Sequence, residues 1–437
     1  VRNLAEVRPF KGIFYSPEKA EKLSDVTAPP YDVISVEAQE QFYQKHPYNI
    51  IRLILGKEFS SDTPKNSRYT RAKSCLEDWE KEGVFVRDRS PSFYLYQQKY
   101  RFQGQERTIN GLVSLVRLEE LGSGVLPHEK TMPRPKRDRL SLIRVCQANV
   151  DQIFALYSDP DDRINPIFAK SLSLSPLAEA QDEEGVEHRI YRIDTEDSER
   201  IRESLQGKSL YLADGHHRYE TALAYQEEKR RKFPDLDEQP YDYVMMMLVN
   251  LESEDLTVLP NHRLIRSLPF LAGELRRKLE EFFEIKELAK RTGSRALVEL
   301  LAKHENAGHA FALYIKGEGL FLLTLRNEAA VEKVIDKSRS AEWKHLDVSI
   351  LHALILEHVM GFREKELEGN RFMAVAQDAN KAIKLVDEGE YAAALFLNPT
   401  KIGDIRTIAS KGERMPQKST YFYPKLLSGL ILNKHEW

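Results

Sequence analysis

The residues of this 437-residue chain best suited to chemistry stand together at Asp214-Gly215-His216-His217-Arg218. An apolar run (LYLA, 210–213) precedes them, and Tyr219, Ala222 and Leu223 follow at helical spacing. A strand ending at Ala213, a turn at Asp214-Gly215 and a helix from His216 would leave the helix's first N–H groups without intrahelical acceptors. The positive end of the helix dipole falls at the same place, and glycine lets a ligand approach the backbone closely. An oxyanion, above all a phosphate, is the group such a corner holds. Two imidazoles and a guanidinium supply further donors there. Each residue also has a plainer reading. Asp214 before a helix is an N-cap as readily as a magnesium ligand, and His216 shares a helical face with Tyr219 and Leu223. Zinc is disfavoured, because adjacent histidines diverge by about 100° and only Glu220 lies one turn from His216.

A second concentration of charge lies at 122–140 (GSGVLPHEKTMPRPKRDRL). Lys130, Arg134, Lys136, Arg137, Arg139 and Arg144 fall within fifteen residues, and Pro127, Pro133 and Pro135 predict an irregular loop. Such a loop could clamp phosphate oxygens or a substrate carboxylate, although surface solvation is the default for any one cation. Glu129, a carboxylate among cations, would stay ionised; it is a candidate base for phosphoryl transfer or a simple neutralising partner. Asp32 in PPYDVI is the other candidate base, a magnesium or amine ligand, or a cap for the turn at Ser35. Arg263, after Pro260 at a predicted strand end, is a further candidate phosphate ligand beside His262. Lys418, Ser419 and Thr420 either return to the cleft or belong to a tether. His352, Glu357 and His358 lack zinc-helix spacing, and neither a Walker-type run nor a Gly-x-Gly-x-x-Gly fingerprint occurs.

The elements that must position these groups alternate between helical and strand patterns, which predicts a mixed α+β fold. A buried strand is expected at 50–55, a helix at 65–82 with Trp79 inward, and a hairpin from 92–101 and 107–117. Residues 159–188 read as an exposed connection. A helix at 194–206, a strand at 208–213, a helix at 216–231 and strands at 243–250 and 255–260 follow. Beyond Pro269, helices are expected near 271–282, 293–304, 347–360 and 376–388, with strands near 309–315, 319–325 and 391–397. The expected organisation is a phosphate-binding region over 1–270 and an α/β region over 271–437, whose segment 414–430 packs back on the core. Hydrophobic residues make up 41% and charged residues 30%, enough apolar material for real cores. The net charge of −3 excludes a global polycation, so nucleic-acid binding would need the local patch at 130–144. No run approaches the roughly 20 apolar residues that cross a bilayer. Two cysteines cannot build a disulfide framework, which fits a reducing cytoplasm.

The run Ala213–Tyr219 resembles the Gly-x-x-Arg signature shared by ParB-type nucleotide-binding domains, sulfiredoxins and free-serine kinases. Much of the chain also resembles one uncharacterised prokaryotic family, DUF1015. The segments that carry this are VRPF (7–10), APPYDVIS (28–35), VLPHEKTMPRPKRDRL (125–140), the histidine motif, LTVLPNHRL (256–264), LDVSILHALILEH (346–358) and RMPQKSTYFYPKLLSGL (414–430). Sulfiredoxins carry Cys where this chain has His216, so sulfinic-acid repair is not implied. ParB proteins usually carry Glu and Arg at the places of His216 and His217 and add a helix-turn-helix reader, for which no pattern follows residue 231. The free-serine-kinase motif is closest. That resemblance implies a ParB/sulfiredoxin-like phosphate-binding core, ATP or ADP with Mg2+, and a small phosphate-bearing substrate, serine or phosphoserine. Kinase and phosphatase chemistry are both admissible. The alternatives are a ParB-like nucleotide-responsive regulator without efficient turnover and a nucleic-acid protein using the basic loop.

Overall fold

A computed structural model describes residues 5–289, 292–304, 308–367 and 372–436. The chain divides into two compact units. The first comprises residues 1–127, 131–257 and 424–437; the second comprises 128–130 and 258–423. The boundary expected near 270 lies inside the second unit, and the last fourteen residues return to the first.

The first unit is built on a mixed sheet. Its strands are β1 (Tyr94–Phe102), β2 (Gln105–Arg117), β3 (Val125–Leu126), β4 (Ile153–Tyr157), β5 (Ala178–Gln181), β6 (Glu187–Arg192), β7 (Leu210–Asp214) and β8 (Tyr243–Asn250). They lie in the order β3-β7-β4-β8-β2-β1-β6-β5, and the short strand Val7–Arg8 pairs beside β2. The β3/β7 and β4/β8 pairs are parallel and the remaining pairs antiparallel. Every residue of β8 is buried, which explains its unbroken apolar run at the centre of the sheet. The β1–β2 turn uses Gln103 and Gly104, both at positive φ, as a tight hairpin requires. Leu95, Leu112, Ile153, Leu212, Tyr219 and Met246 belong to one core. A second core gathers Tyr15, Ile51, Leu53, Leu76, Trp79, Phe85 and Leu142. It includes helix α1 (Arg68–Lys81), which starts in a Ser67/Thr70 capping box.

Three expectations fail here. The run at 50–55 is not a strand: Ile51–Ile54 form one helical turn, with the Asn49 side chain accepting from the Ile51 N–H. The basic segment is not an irregular loop: residues Pro133–Cys146 form helix α2. Pro133 and Pro135 sit in its first turn, where an absent N–H removes no intrahelical bond. Residues 159–188 are not an exposed connection either. They contribute the helix Asn165–Ser171 and the edge strand β5, with Ile164, Ile167 and Phe168 buried.

The second unit holds an antiparallel sheet of β9 (His262–Ile265), β10 (Phe283–Glu287), β11 (Ala310–Ile315), β12 (Gly319–Leu325), β13 (Met373–Ala376) and β14 (Ala393–Phe396). Their order is β10-β12-β11-β14-β9-β13. The helices Ser294–His304 and Ala379–Asp387 deliver Leu297, Leu301, Ala382 and Val386 to a core with Ala312, Leu322 and Phe396. A helix begun at Asp347–Ile350 widens into π turns over Leu351–Val359.

Candidate functional site: the strand-to-helix corner at Asp214–Arg218

The corner expected from the sequence forms in the first unit. Strand β7 slips register against β4 between Leu212 and Asp214, so the strand ends in a bulge that re-aims Asp214. Gly215 follows with φ +90°, and helix α3 (His216–Lys232) starts at once. The Gly215 N–H donates to the Asp214 carboxylate (Oδ1, 3.0 Å), which holds the turn into the helix. Glycine is required twice over. A side chain is strained at this φ, and a Cβ would lie 2.9 Å from the Arg218 Nε. The Arg218 guanidinium therefore folds back over the glycine.

Around Arg218 the first unit gathers charge of both signs. Its Nη1 donates to the Gln152 carbonyl and lies 3.5 Å from the Asp151 carboxylate; its Nη2 lies 3.7 Å from Asp214. Lys425, from the returning C-terminal segment, reaches the same Asp214 oxygen at 3.3 Å. Burial alone would lower the proton affinity of Arg218, but Asp151, Asp214 and Asp32 together raise it above the ordinary guanidinium range. Asp32, which is exposed, thus belongs to the electrostatic surroundings of the motif although 186 positions separate it from Arg218. Its neighbour Tyr31 marks the same spot. Burial and then Asp32 push the Tyr31 phenol up, while Arg139 and Arg218 pull it down. The Arg139 guanidinium sits 3.9 Å over the Tyr31 ring.

The histidines depart from the simple picture of donors aimed outward. His216 is buried at the helix start. His217 accepts the Met132 N–H at Nε2 (2.8 Å), which puts the proton of its neutral ring on Nδ1. It therefore ties the corner to the start of α2. Nearby, Glu220 accepts from Thr131 Oγ1 (2.7 Å) and Lys136 Nζ (2.9 Å). Arg139 and Arg144 are likewise paired, with Asp138 and Glu228, while Arg134 and Arg137 are exposed. Much of the apparent cationic patch is thus neutralised inside the unit.

Glu129, Lys130 and Arg263 belong to the second unit. Arg263 is fully buried there. It donates to the carbonyls of Asn261, Gln417 (3.4 Å) and Lys418 (3.1 Å) and to His352 Nε2 (3.2 Å from Nε, 3.1 Å from Nη2). Burial pushes its guanidinium down to about 10, against the opposing pull of Glu129. Glu129 accepts the Lys418 N–H at 2.7 Å, and His128 bonds Thr420 Oγ1 at 2.8 Å. In this unit Lys418–Thr420 act as a tether, and Arg263 is its inner anchor.

Among the described residues no group of three or more His, Cys, Asp or Glu gathers to hold a metal ion, and no helix is long and apolar enough to cross a membrane. Sequence reasoning singled out Asp32, Asp214 and Arg218 but missed Tyr31, Asp151 and Gln152. The one available signal for the latter two was their place immediately before the apolar strand β4, beside the strand that ends in the motif.

The family model described as "Protein of unknown function (DUF1015)" matches residues 7–349. No curated protein matches the chain significantly. Among solved structures, a free serine kinase in complex with AMP is similar at 11% identity and a TM-score of 0.37, covering 72% of this chain and 87% of that one. A conserved hypothetical protein from Pyrococcus furiosus is similar at 11% identity and 0.36, covering 72% and 92%. A C-terminally truncated SbnI from Staphylococcus aureus is similar at 10% identity and 0.33, covering 72% and 85%.

Proposed function

The chain belongs to the DUF1015 family, and we propose that it is a phosphotransfer enzyme acting on a small hydroxylated metabolite, serine or phosphoserine. The observation that carries this reading is the corner itself: a bulged strand, a glycine at φ +90° and a seventeen-residue helix begun with Arg218 folded over that glycine. The first-turn amides of α3 lack intrahelical acceptors and point toward the helix start, where phosphate oxygens would sit.

In this reading Arg218 balances charge on the transferred group, held in place by Asp151 and the Gln152 carbonyl. Asp32 takes the proton of the attacking hydroxyl as its oxygen bonds to phosphorus and the bond to the leaving oxygen breaks. Lys425 pairs with Asp214 and holds it toward the corner. Catalysis is then mostly positioning and electrostatics, as the reaction class permits. The resemblance of the motif to that of free-serine kinases makes ATP or ADP the proposed donor. Mg2+ would enter with the phosphates, held by one or two carboxylates such as Asp214; it would supply charge neutralisation on phosphate oxygens. Lys136 of α2 pairs with Glu220, His217 of α3 accepts the Met132 N–H at the start of α2, and Glu129 and Arg263 organise the second unit.

The test is ³¹P detection of products from the purified chain offered ATP, ADP or pyrophosphate with serine, and phosphoserine alone. Turnover that falls strongly in Arg218→Ala and Asp32→Asn supports the reading. Saturable nucleotide binding with no turnover would leave the ParB-like regulator, and no binding of any phosphate compound would overturn both.

A further inference from the structure

The C-terminal segment that brings Lys425 to Asp214 is held in the first unit by a buried polar chain. Asp182 stands in the turn between β5 and β6, where its Oδ1 accepts the Glu184 and Val186 N–H groups at 2.9 Å each. Its Oδ2 lies 3.2 Å from His188 Nε2, and His188 Nδ1 lies 2.8 Å from the Tyr96 hydroxyl. The Leu427 N–H donates to the same hydroxyl at 3.0 Å. Two positions along β1, on the same face as Tyr96, Gln98 Nε2 donates to the Lys425 carbonyl at 3.1 Å. Tyr96, Gln98 and His188 are fully buried.

The chemistry of these groups fixes the direction of each bond. An ionised Asp182 only accepts, so His188 Nε2 carries the ring proton and Nδ1 is an acceptor. The Tyr96 hydroxyl therefore donates to Nδ1, and its oxygen accepts from Leu427. A buried network in which every bond is made rigidifies what it touches. What it touches here is the backbone on both sides of residue 426, through the Lys425 carbonyl and the Leu427 N–H. The Lys425 ammonium lies 3.3 Å from Asp214 Oδ2, the oxygen that Arg218 Nη2 approaches at 3.7 Å. We propose that the Asp182–His188–Tyr96 chain is a positioning device for the corner, clamping the C-terminal segment so that Lys425 neutralises Asp214. Without that ammonium, the Asp214 charge would oppose an oxyanion at the first-turn amides of α3. Tyr96 and His188 are positioning residues that act through Lys425. The proposal rests on the reading of Gly215–Arg218 as an oxyanion site, and the binding arms below separate the two.

The test is calorimetric titration of the full chain with pyrophosphate, with urea denaturation run on every variant. Affinity should fall about tenfold in Lys425→Met and about threefold or more in Tyr96→Phe, which deletes only the hydroxyl. The double variant should bind no more weakly than Lys425→Met, because Tyr96 has no route to the ligand except through Lys425. Tyr94→Phe is the matched control: its hydroxyl also accepts a backbone N–H, that of Gly12 at 2.9 Å, so stability should fall while affinity holds. Gln98→Met releases the Lys425 carbonyl and tests the same clamp even if Tyr96→Phe folds poorly. Additive losses in the double variant, equal losses in Tyr94→Phe and Tyr96→Phe, or full affinity in Lys425→Met or in both clamp variants would overturn the positioning role and leave the corner intact. Failure of the wild-type chain to bind pyrophosphate would overturn the oxyanion reading and this role with it.

Discussion

Gly215→Ala is the most informative single substitution, because Gly104→Ala provides a matched control. Both glycines have positive φ, +90° and +82°, but a Cβ at Gly104 meets nothing within 4 Å while one at Gly215 lands 2.9 Å from Arg218 Nε. The left-handed backbone costs about 1–2 kcal/mol in either variant. Only at Gly215 must a guanidinium move, and it gives up its bond to the Gln152 carbonyl and its approach to Asp151. A charged hydrogen bond contributes about 1.5–3 kcal/mol, so Gly215→Ala should lose about 2.5–5 kcal/mol against about 1–2 kcal/mol for Gly104→Ala. Urea denaturation measures both. Pyrophosphate affinity should fall about tenfold or more in Gly215→Ala and stay unchanged in Gly104→Ala. Equal losses of stability and unchanged affinity in both variants would refute the packing of Arg218 over Gly215 and its role in the corner.

Three further outcomes follow from the same structure. Arg263→Met strands the Asn261, Gln417 and Lys418 carbonyls and His352, so equilibrium unfolding should show a loss of about 3 kcal/mol or more, whereas a loss below about 1 kcal/mol would contradict the anchor role. Burial pushes His435 down to about 4 from an unfolded value of about 6.5. Between those values the unfolded chain binds a proton that the folded chain refuses, so stability falls as the pH drops through the window. Neither ring nitrogen has a partner, and the ring lies 5.7 Å from Tyr225, so His435→Phe should hold stability at pH 7 and flatten the acid slope by up to about 1.4 kcal/mol per pH unit; an unchanged slope in stability-versus-pH curves would count against it. The Cys146 thiol is pushed up to about 12 by burial, so a thiol reagent at pH 8 should leave it unmodified until the protein unfolds.

Where the sequence pattern and the local physics agree, the fold was legible. The run 243–250 reads as a buried strand and is one, and Asp214–Arg218 reads as a strand-to-helix corner and forms one. Short apolar runs were not legible: IIRLIL carries no period long enough to separate a strand from a helical turn, and the Asn49 side chain decides in favour of the turn. Proline was over-read at 133 and 135, because its effect depends on whether it falls in a helix's first turn or its interior. At the site, Arg218, Asp214 and Asp32 could be picked out by type, but the state of the histidines could not. Whether His217 donates or accepts depends on Met132, and that contact follows from the packing of α2. Asp151 and Gln152 carry no motif. Their importance comes from contact with Arg218, which only three-dimensional structure reveals.

The claim on which the account turns is that an oxyanion sits against the first-turn amides of α3. Selective ¹⁵N-histidine labelling gives 12 backbone amide signals, two of them, His216 and His217, at the corner. On titration with pyrophosphate those two amides should shift most and saturate together, with both responses lost in Arg218→Ala. Shifts confined to other histidines, or the same saturating response in Arg218→Ala, would contradict it.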